Sequence, residues 1–317
     1  MMRRTSWLVF FPALALVACT GNSGGGTAAR GPLASGIVGG EKVAETSWIA
    51  KRSVLLMIRT GEDSRKTTKC SGTLVARDIV LSAAHCVSGK TPGQVRVFFT
   101  TDFDRDSERG DWRGKMAAVT DIRQPQKEDD GGETPDLALL KLDRPAPSGF
   151  EVSTLVQFPL EWSRFRHYLL AGYGRGEGMA AQNDLRAVQV PALRGEELEK
   201  VKERLVKLRL PRSRYSEAQL RMIYAVQLNE FLNPAYLWMN QSEGRGACIG
   251  DSGGPAFLEI NGRPYQVGVA AFTMDDPERR DCLLVSAYTN VLFHRQWLQK
   301  NFSELAGPAQ TRLFPDF

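Results

Sequence analysis

From about residue 37 onward the sequence breaks into short apolar or alternating runs that end at turn residues. They are Val54–Arg59, Gly72–Val75, Ile79–Ser82, Val95–Phe99, Leu137–Leu142, Tyr168–Ala171, Ala187–Val190, Gly268–Phe272 and Leu284–Tyr288. Pro92-Gly93, Gly131-Gly132 and Pro145-Ala146-Pro147 punctuate them. Strands that follow one another without helices between them favour an antiparallel barrel or sandwich. Two helical patterns interrupt the series. Gly195–Leu208 carries Leu198, Val201, Leu205 and Leu208 along one stripe, and Val291–Leu305 is amphipathic near the end of the chain.

The start of the chain follows other rules. Arg3 and Arg4 precede an apolar run from Trp7 to Ala18, broken only by Pro12. A basic start, a short apolar core and small residues at its end read as a secretory signal over residues 1–18. The run falls well short of the roughly 20 residues a membrane-spanning helix needs. The competing reading is a buried N-terminal helix. Leu16-Val17-Ala18-Cys19 resembles the lipobox of bacterial lipoproteins, in which the cysteine carries a lipid and becomes the new N-terminus. Ordinary cleavage near Ala18, with Cys19 incidental, is the alternative. Thr20–Ala29, rich in Gly, Ser and Thr, suits a flexible tether within residues 19–36. Membrane association is expected only through a lipid at Cys19. The chain is then expected in the cell envelope, or released from it by cleavage.

Five cysteines are an odd number for an exported chain. Assigning Cys19 to a lipid leaves Cys70, Cys86, Cys248 and Cys282, enough for two bridges in an oxidising compartment. No Cys-x-x-Cys pair is present and there are three histidines, so no structural zinc, other metal or cofactor is expected. The net charge of +5 includes three arginines in residues 1–36, a stretch without acids. The remainder has no large basic field, and nucleic acid is not an expected partner.

Three segments carry the chemistry. Leu81–Cys86 holds His85, Thr134–Leu140 holds Asp136, and Cys248–Pro255 holds Ser252 between glycines. A serine hydroxyl needs an adjacent base, and a neutral imidazole serves near pH 7. A carboxylate on the far ring nitrogen fixes the tautomer. Glycines beside the serine let main-chain N–H groups approach a developing oxyanion.

Together these segments make the chain resemble a trypsin/chymotrypsin-type serine protease. The resemblance rests on Ile37-Val38-Gly39-Gly40, Cys70-Ser71-Gly72-Thr73-Leu74, Ser82-Ala83-Ala84-His85-Cys86, Asp136-Leu137-Ala138-Leu139-Leu140, Ala171-Gly172-Tyr173-Gly174 and Gly250-Asp251-Ser252-Gly253-Gly254-Pro255. It implies an all-β, chymotrypsin-like fold of two antiparallel six-stranded barrels with a C-terminal helix, over residues 37–305, and a tail over 306–317. It implies Ser252 as nucleophile, His85 as base then acid, Asp136 as orienting acid, and the amides of Gly250 and Ser252 as oxyanion donors. Cys70 is expected to pair with Cys86, and Cys248 with Cys282. Cleavage of Gly36–Ile37 by an activating protease would free an Ile37 ammonium to meet Asp251, although Gly36 is not the Arg or Lys a trypsin-like activator cuts after.

The resemblance places Gly246 at the floor of a specificity pocket and Ala271-Phe272-Thr273 on the strand that pairs with a protein or peptide substrate. Ser286 falls on another wall. These residues point to a small or medium uncharged residue before the scissile bond. Asp275, Asp276, Glu278 and Asp281 in the following loop could still attract a basic one. The segment from Gly195 to Asn240 is longer than usual for the family and reads as a surface decoration or a recruiting face. The functional expectation is a serine endopeptidase. The alternative is an inactive, protease-like module that binds proteins at the cell surface.

Overall fold

The computed structural model describes residues 37–61, 65–125, 134–176, 179–180, 182–229, 233–274, 282–307 and 312–314. They belong to a unit running from Ala34 to Phe317, and Met1–Leu33, Cys19 among them, lie outside the described residues. In chain order the first half contains β1 (Glu41–Lys42), β2 (Ser53–Arg59), β3 (Thr67–Ala76), β4 (Ile79–Ser82), α1 (Ala84–Val87), β5 (Val95–Phe98), α2 (Phe103–Glu108), β6 (Met116–Arg123) and β7 (Ala138–Leu142). The second half contains β8 (His167–Gly172), β9 (Arg186–Pro191), α3 (Gly195–Arg209), α4 (Glu217–Asn229), β10 (Tyr236–Asn240), β11 (Pro255–Ile260), β12 (Arg263–Met274), β13 (Val285–Asn290) and α5 (Arg295–Ala306).

Six antiparallel strands close a barrel in the order β2-β3-β4-β7-β6-β5, with β5 returning to β2. Closure leaves no free sheet edge in this half. Its interior is packed with Val54, Leu56, Ile58, Leu74, Ile79, Leu81, Val97, Leu139 and their neighbours. The helix α5 seals one end. Leu298, Phe302 and Leu305 recur at the helical period and all three are buried in this core.

The other half is a seven-stranded sheet in the order β1-β9-β8-β11-β12-β13-β10. Where the sequence leads to a second six-stranded barrel, the described residues join the end of β9 to β10 through one bridge, Ala192 with Met239, and the Leu193 N–H to Trp238 carbonyl bond of 2.8 Å. The sheet therefore curls nearly shut, and the two-residue β1 hangs on its edge as a seventh strand. The helices α3 and α4 pack over β10 and β13 through Leu198, Val201, Leu205, Val206 and Leu220 against Trp238, Val285 and Ala287. This confirms the stripe on α3, apart from the Leu208 side chain, which is outside the described residues. No described helix is long and apolar enough to cross a membrane.

Both expected disulfides are formed, Cys70–Cys86 and Cys248–Cys282. They fit an exported protein. The first bridges 16 residues and pins β3 to α1, which carries His85. Replacing Cys70 and Cys86 by serine is expected to lower stability by about 3 kcal/mol, as read from urea unfolding. An unchanged midpoint would contradict this.

Candidate active site

The two halves meet along a seam that draws the three chemical segments together. His85 lies on α1, directly after β4 of the closed barrel. Asp136 lies just before β7, the neighbour of β4. Pairing of these two strands sets histidine and carboxylate side by side: His85 Nδ1 is 2.7 Å from Asp136 Oδ2, and the His85 main-chain N–H donates to Asp136 Oδ1 at 2.8 Å. An ionised carboxylate only accepts, so Nδ1 is the donor of this bond, and in the neutral tautomer that this contact selects the lone pair is on Nε2. The imidazole remains open to solvent, with its side chain 45% exposed and that of Asp136 22% exposed.

Ser252 comes from the other half and is tied to the same place by its main chain. Its carbonyl accepts the Ser71 N–H at 2.7 Å, and the Ser71 hydroxyl donates to the Gly250 carbonyl at 3.0 Å. The Ser82 hydroxyl in turn donates to the Ser71 carbonyl at 2.8 Å. One sulfur, Cys86 Sγ, lies 3.9 Å from His85 Nε2 and 3.8 Å from the Ser252 carbonyl oxygen. Cys70, His85 and Cys86 offer ligand atoms within 4.8 Å of one another, but the two sulfurs are bonded to each other and are not free to take a metal.

The turn around Ser252 requires its glycines. Gly253 has φ +80°, and a Cβ there would lie 2.1 Å from Ser82 Oγ and 2.4 Å from the Ser71 carbonyl oxygen. Gly253→Ala is expected to cost at least ~2 kcal/mol and to displace Ser252 from His85. A thermal melt and an activity assay on the same sample check both, and wild-type values in both would refute it. The amides of Asp251, Gly253 and Gly254 are bonded to main-chain carbonyls. Those of Gly250 and Ser252 donate to nothing among the described residues.

Asp251 is fully buried. Its oxygens accept the N–H groups of Cys248 at 2.8 Å and Gly174 at 2.7 Å. Burial pushes its carboxyl up to about 7, against the pull of these two donors and of the Lys69 ammonium. Gly172 and Gly174 make the room for it: a Cβ on either would come within 2.2 or 2.3 Å of its carboxylate. Ile37 is also fully buried, and Val38 bridges to Gly246, whose N–H donates to the Val38 carbonyl at 2.9 Å.

Beside Ser252 is a cavity of about 190 Å³, lined by Ala247, Cys248, Ile249, Asp251, Ser252, Ala270, Ala271, Phe272, Thr273, Ser286 and Tyr288. Four of the five pocket residues expected from sequence are in this wall. Gly246 lies behind it. A Cβ at Gly246 would fall 2.2 Å from the amide of Gln241, which is fully buried and occupies that space. Gln241 and Tyr288 carry no local sequence signal for this role, because residues distant in sequence create their burial. Ala271 sits at a bulge between β12 and β13. Pairing of β12 with β11 ends at Val269, so among the described residues the stretch from Ala271 to Met274 is paired on one edge only, that of β13. Phe272 is 45% exposed there and meets Tyr236 and Trp238 edge-on at 5.8 and 5.5 Å. The acids 275–281 and Asp129 and Asp130 lie outside the described residues.

Comparison with known proteins agrees with this geometry. The vitellin-degrading protease of Bombyx mori is 28% identical over 275 residues, covering 85% of this chain and 86% of that protein. The CLIP domain-containing serine protease B15 of Anopheles gambiae is 25% identical over 304 residues, covering 90% and 74%. Among solved structures, the scabies mite inactivated protease paralogue S-I1 superimposes with a TM-score of 0.58 at 21% identity, over 84% of this chain and 99% of that one, which shows the shared fold. The trypsin family profile matches residues 37–298, and the chain belongs to the trypsin family of serine proteases.

Proposed function

We propose that the chain is an active serine endopeptidase. The observation that carries this reading is the His85–Asp136 pair, held by two bonds to one carboxylate and tied through Ser71 and Cys86 to the Ser252 turn. In the proposed reaction Ser252 Oγ attacks the peptide carbonyl as His85 Nε2 takes its proton. The tetrahedral oxyanion is received by the N–H groups of Gly250 and Ser252. The imidazolium, stabilised by Asp136, then gives the proton to the leaving amine. Water repeats the sequence on the acyl-enzyme. The edge of Ala271 to Met274 away from β13 suits an added peptide strand. The cavity wall of Ala247, Ala270, Thr273 and Ser286 suits a small or medium uncharged side chain before the scissile bond.

The test is labelling of the processed protein with a fluorophosphonate. Covalent modification is expected at Ser252 and its loss in Ser252→Ala. An unlabelled wild type would favour the protein-binding module instead. Activation by cleavage of Gly36–Ile37 is part of the same proposal. Its supports are the buried Ile37 and the fully buried Asp251, for which a freed ammonium is the fitting partner. Lipidation of Cys19 is proposed as well: the other four cysteines are consumed in pairs, so Cys19 has no cysteine of its own chain to bond. Mass spectrometry of the mature N-terminus tests both. A lipid-free Cys19 in the secreted chain would refute anchoring, and an intact Gly36–Ile37 bond in the active enzyme would refute activation by cleavage.

A further inference from the structure

The segment from Gly195 to Asn240 contains the α3–α4 hairpin, and the turn of that hairpin has a composition found nowhere else in the chain. Arg204, Lys207, Arg209, Arg212 and Arg214 put five cations into eleven residues, and no acid occurs from Arg204 to Ser216. No other stretch of that length from Ile37 on holds five cations without an acid. From Ile37 on, Lys and Arg outnumber Asp and Glu by two, so without these five the remainder carries a net charge of −3. The excess positive charge of the folded unit is therefore gathered at one turn.

Helix-end electrostatics account for part of it. Cations in the last turn of α3 complement the helix dipole. Arg212 and Arg214 lie beyond that helix, in a single 3₁₀ turn (Leu210–Arg212) and the link to α4. The acids of the two helices are engaged elsewhere. Glu197 accepts the Arg194 N–H at 2.9 Å, Glu199 pairs with Lys202 at 2.7 Å, and Glu203 and Glu217 both pair with Arg221. Lys207 feels the field of Glu203, but neither Lys207 nor Arg214 forms an ion pair among the described residues.

Apolar groups share the turn. Leu210 is 37% exposed and Tyr215 39%, with the Arg214 guanidinium 5.1 Å from the Tyr215 ring centre. Lys207, Pro211, Arg214 and Ser216 are exposed as well. The turn thus faces solvent beyond the layer that Leu198, Val201, Leu205 and Leu220 hold against β10 and β13.

We propose that this turn docks on the anionic surface of a lipid bilayer, with its cations at the headgroups and Leu210 and Tyr215 between them. Basic residues interleaved with Leu and aromatic side chains are the composition of segments that lie in the membrane interface. A nucleic acid or sugar polyanion takes up the charge but makes no use of an exposed leucine. A folded acidic partner needs a concavity shaped to the turn, whereas a fluid bilayer adapts to it. Each Lys or Arg brought near such a surface strengthens binding about fivefold. The net negative remainder is repelled, so the same charge pattern orients the molecule with the hairpin toward the lipid. Membrane association then does not rest on Cys19 alone, and a unit cut at Gly36–Ile37 keeps a means of attachment that needs no lipid of its own.

The test uses the exported chain carrying Cys19→Ser, which bars lipidation, and Ser252→Ala, which prevents self-cleavage, purified with its apolar leader removed as its mass confirms. It is sedimented with vesicles of phosphatidylcholine, alone or containing phosphatidylglycerol. Partition onto the anionic vesicles is expected to be at least about thirtyfold higher than onto the neutral ones, and to be lost as salt rises from about 0.1 to about 0.5 M. Lys207→Glu with Arg214→Glu is expected to lower it at least about thirtyfold, and Arg214→Glu alone about tenfold. The single variant lies outside both helices and keeps the test decisive if Lys207→Glu disturbs α3. Leu210→Ser is expected to lower it about threefold. The same two reversals at Arg263 and Lys300, exposed positions elsewhere, are expected to lower it less than about threefold. Equal partition onto both kinds of vesicle overturns the proposal, as does partition unmoved by Arg214→Glu. Retention on heparin or duplex DNA without vesicle binding overturns it too and assigns the turn to a polyanion.

Discussion

Ser252→Ala is expected to lower kcat/KM on a cleavable peptide by about 10⁶-fold, and His85→Ala by a similar factor. The double variant is expected to be no worse than either single one, because nucleophile and base act as a unit. Asp136→Asn separates the roles. The His85 main-chain N–H requires an acceptor and already bonds Asp136 Oδ1 at 2.8 Å. An amide at 136 would place its oxygen there and turn its NH₂ toward Nδ1, which moves the ring proton to Nε2. That tautomer cannot accept from Ser252, and a loss of about 10⁴ in kcat is expected. All three variants should unfold near the wild-type midpoint. A Ser252→Ala protein that still cleaves at more than a hundredth of the wild-type rate would refute the assignment of the nucleophile.

The second large effect belongs to Asp251. In the uncut chain its carboxyl holds a proton up to about pH 7 when folded, against an ordinary value of 3.8. The folded state therefore binds more protons than the unfolded state between about pH 4 and pH 7. Stability is highest at the acid end and falls as pH rises through this window, by up to about 4 kcal/mol. In a Ser252→Ala background, which prevents self-cleavage, urea midpoints at pH 4.5 and 7 should show the fall, and Asp251→Asn should abolish this contribution. Cutting Gly36–Ile37 supplies an ammonium that favours the ionised carboxylate, so the slope should flatten. In the cut enzyme, losing one member of such a buried pair is expected to cost about 3–5 kcal/mol of the ordered site, and activity should fall at least a hundredfold. An Asp251→Asn protein with an undiminished slope would remove Asp251 from this role.

Much of this was legible because the chemistry sits in short, locally rigid segments. His85 beside Cys86, Asp136 at the head of an apolar strand, and the glycine-flanked Ser252 each announce themselves without knowledge of their neighbours. The Gly172-Tyr173-Gly174 turn was readable as a turn, whereas its purpose, clearance for the Asp251 carboxylate, appears only when the chain is folded. The missed elements lack a local pattern. Strand β11 begins at Pro255, immediately after the nucleophile turn, and β6 mixes Ala, Thr and Asp with its apolar residues. In α4 the apolar residues run together in sequence, and of those described Leu220 is buried whereas Met222 is 69% exposed. Gln241 could not have been found, because its partners are main-chain groups, Ala247 six residues on in the same loop and Cys282 from a distant one.

Ser71 links the closed barrel to the curled sheet, with its N–H on Ser252 and its hydroxyl on Gly250. Under the proposed function, hydrolysis is accordingly a matter of alignment between the two halves, owned by neither alone. Slippage of about one ångström at such a join is enough to slow chemistry about a hundredfold. A wedge inserted on the far side of the molecule could therefore silence the enzyme without touching a reacting atom.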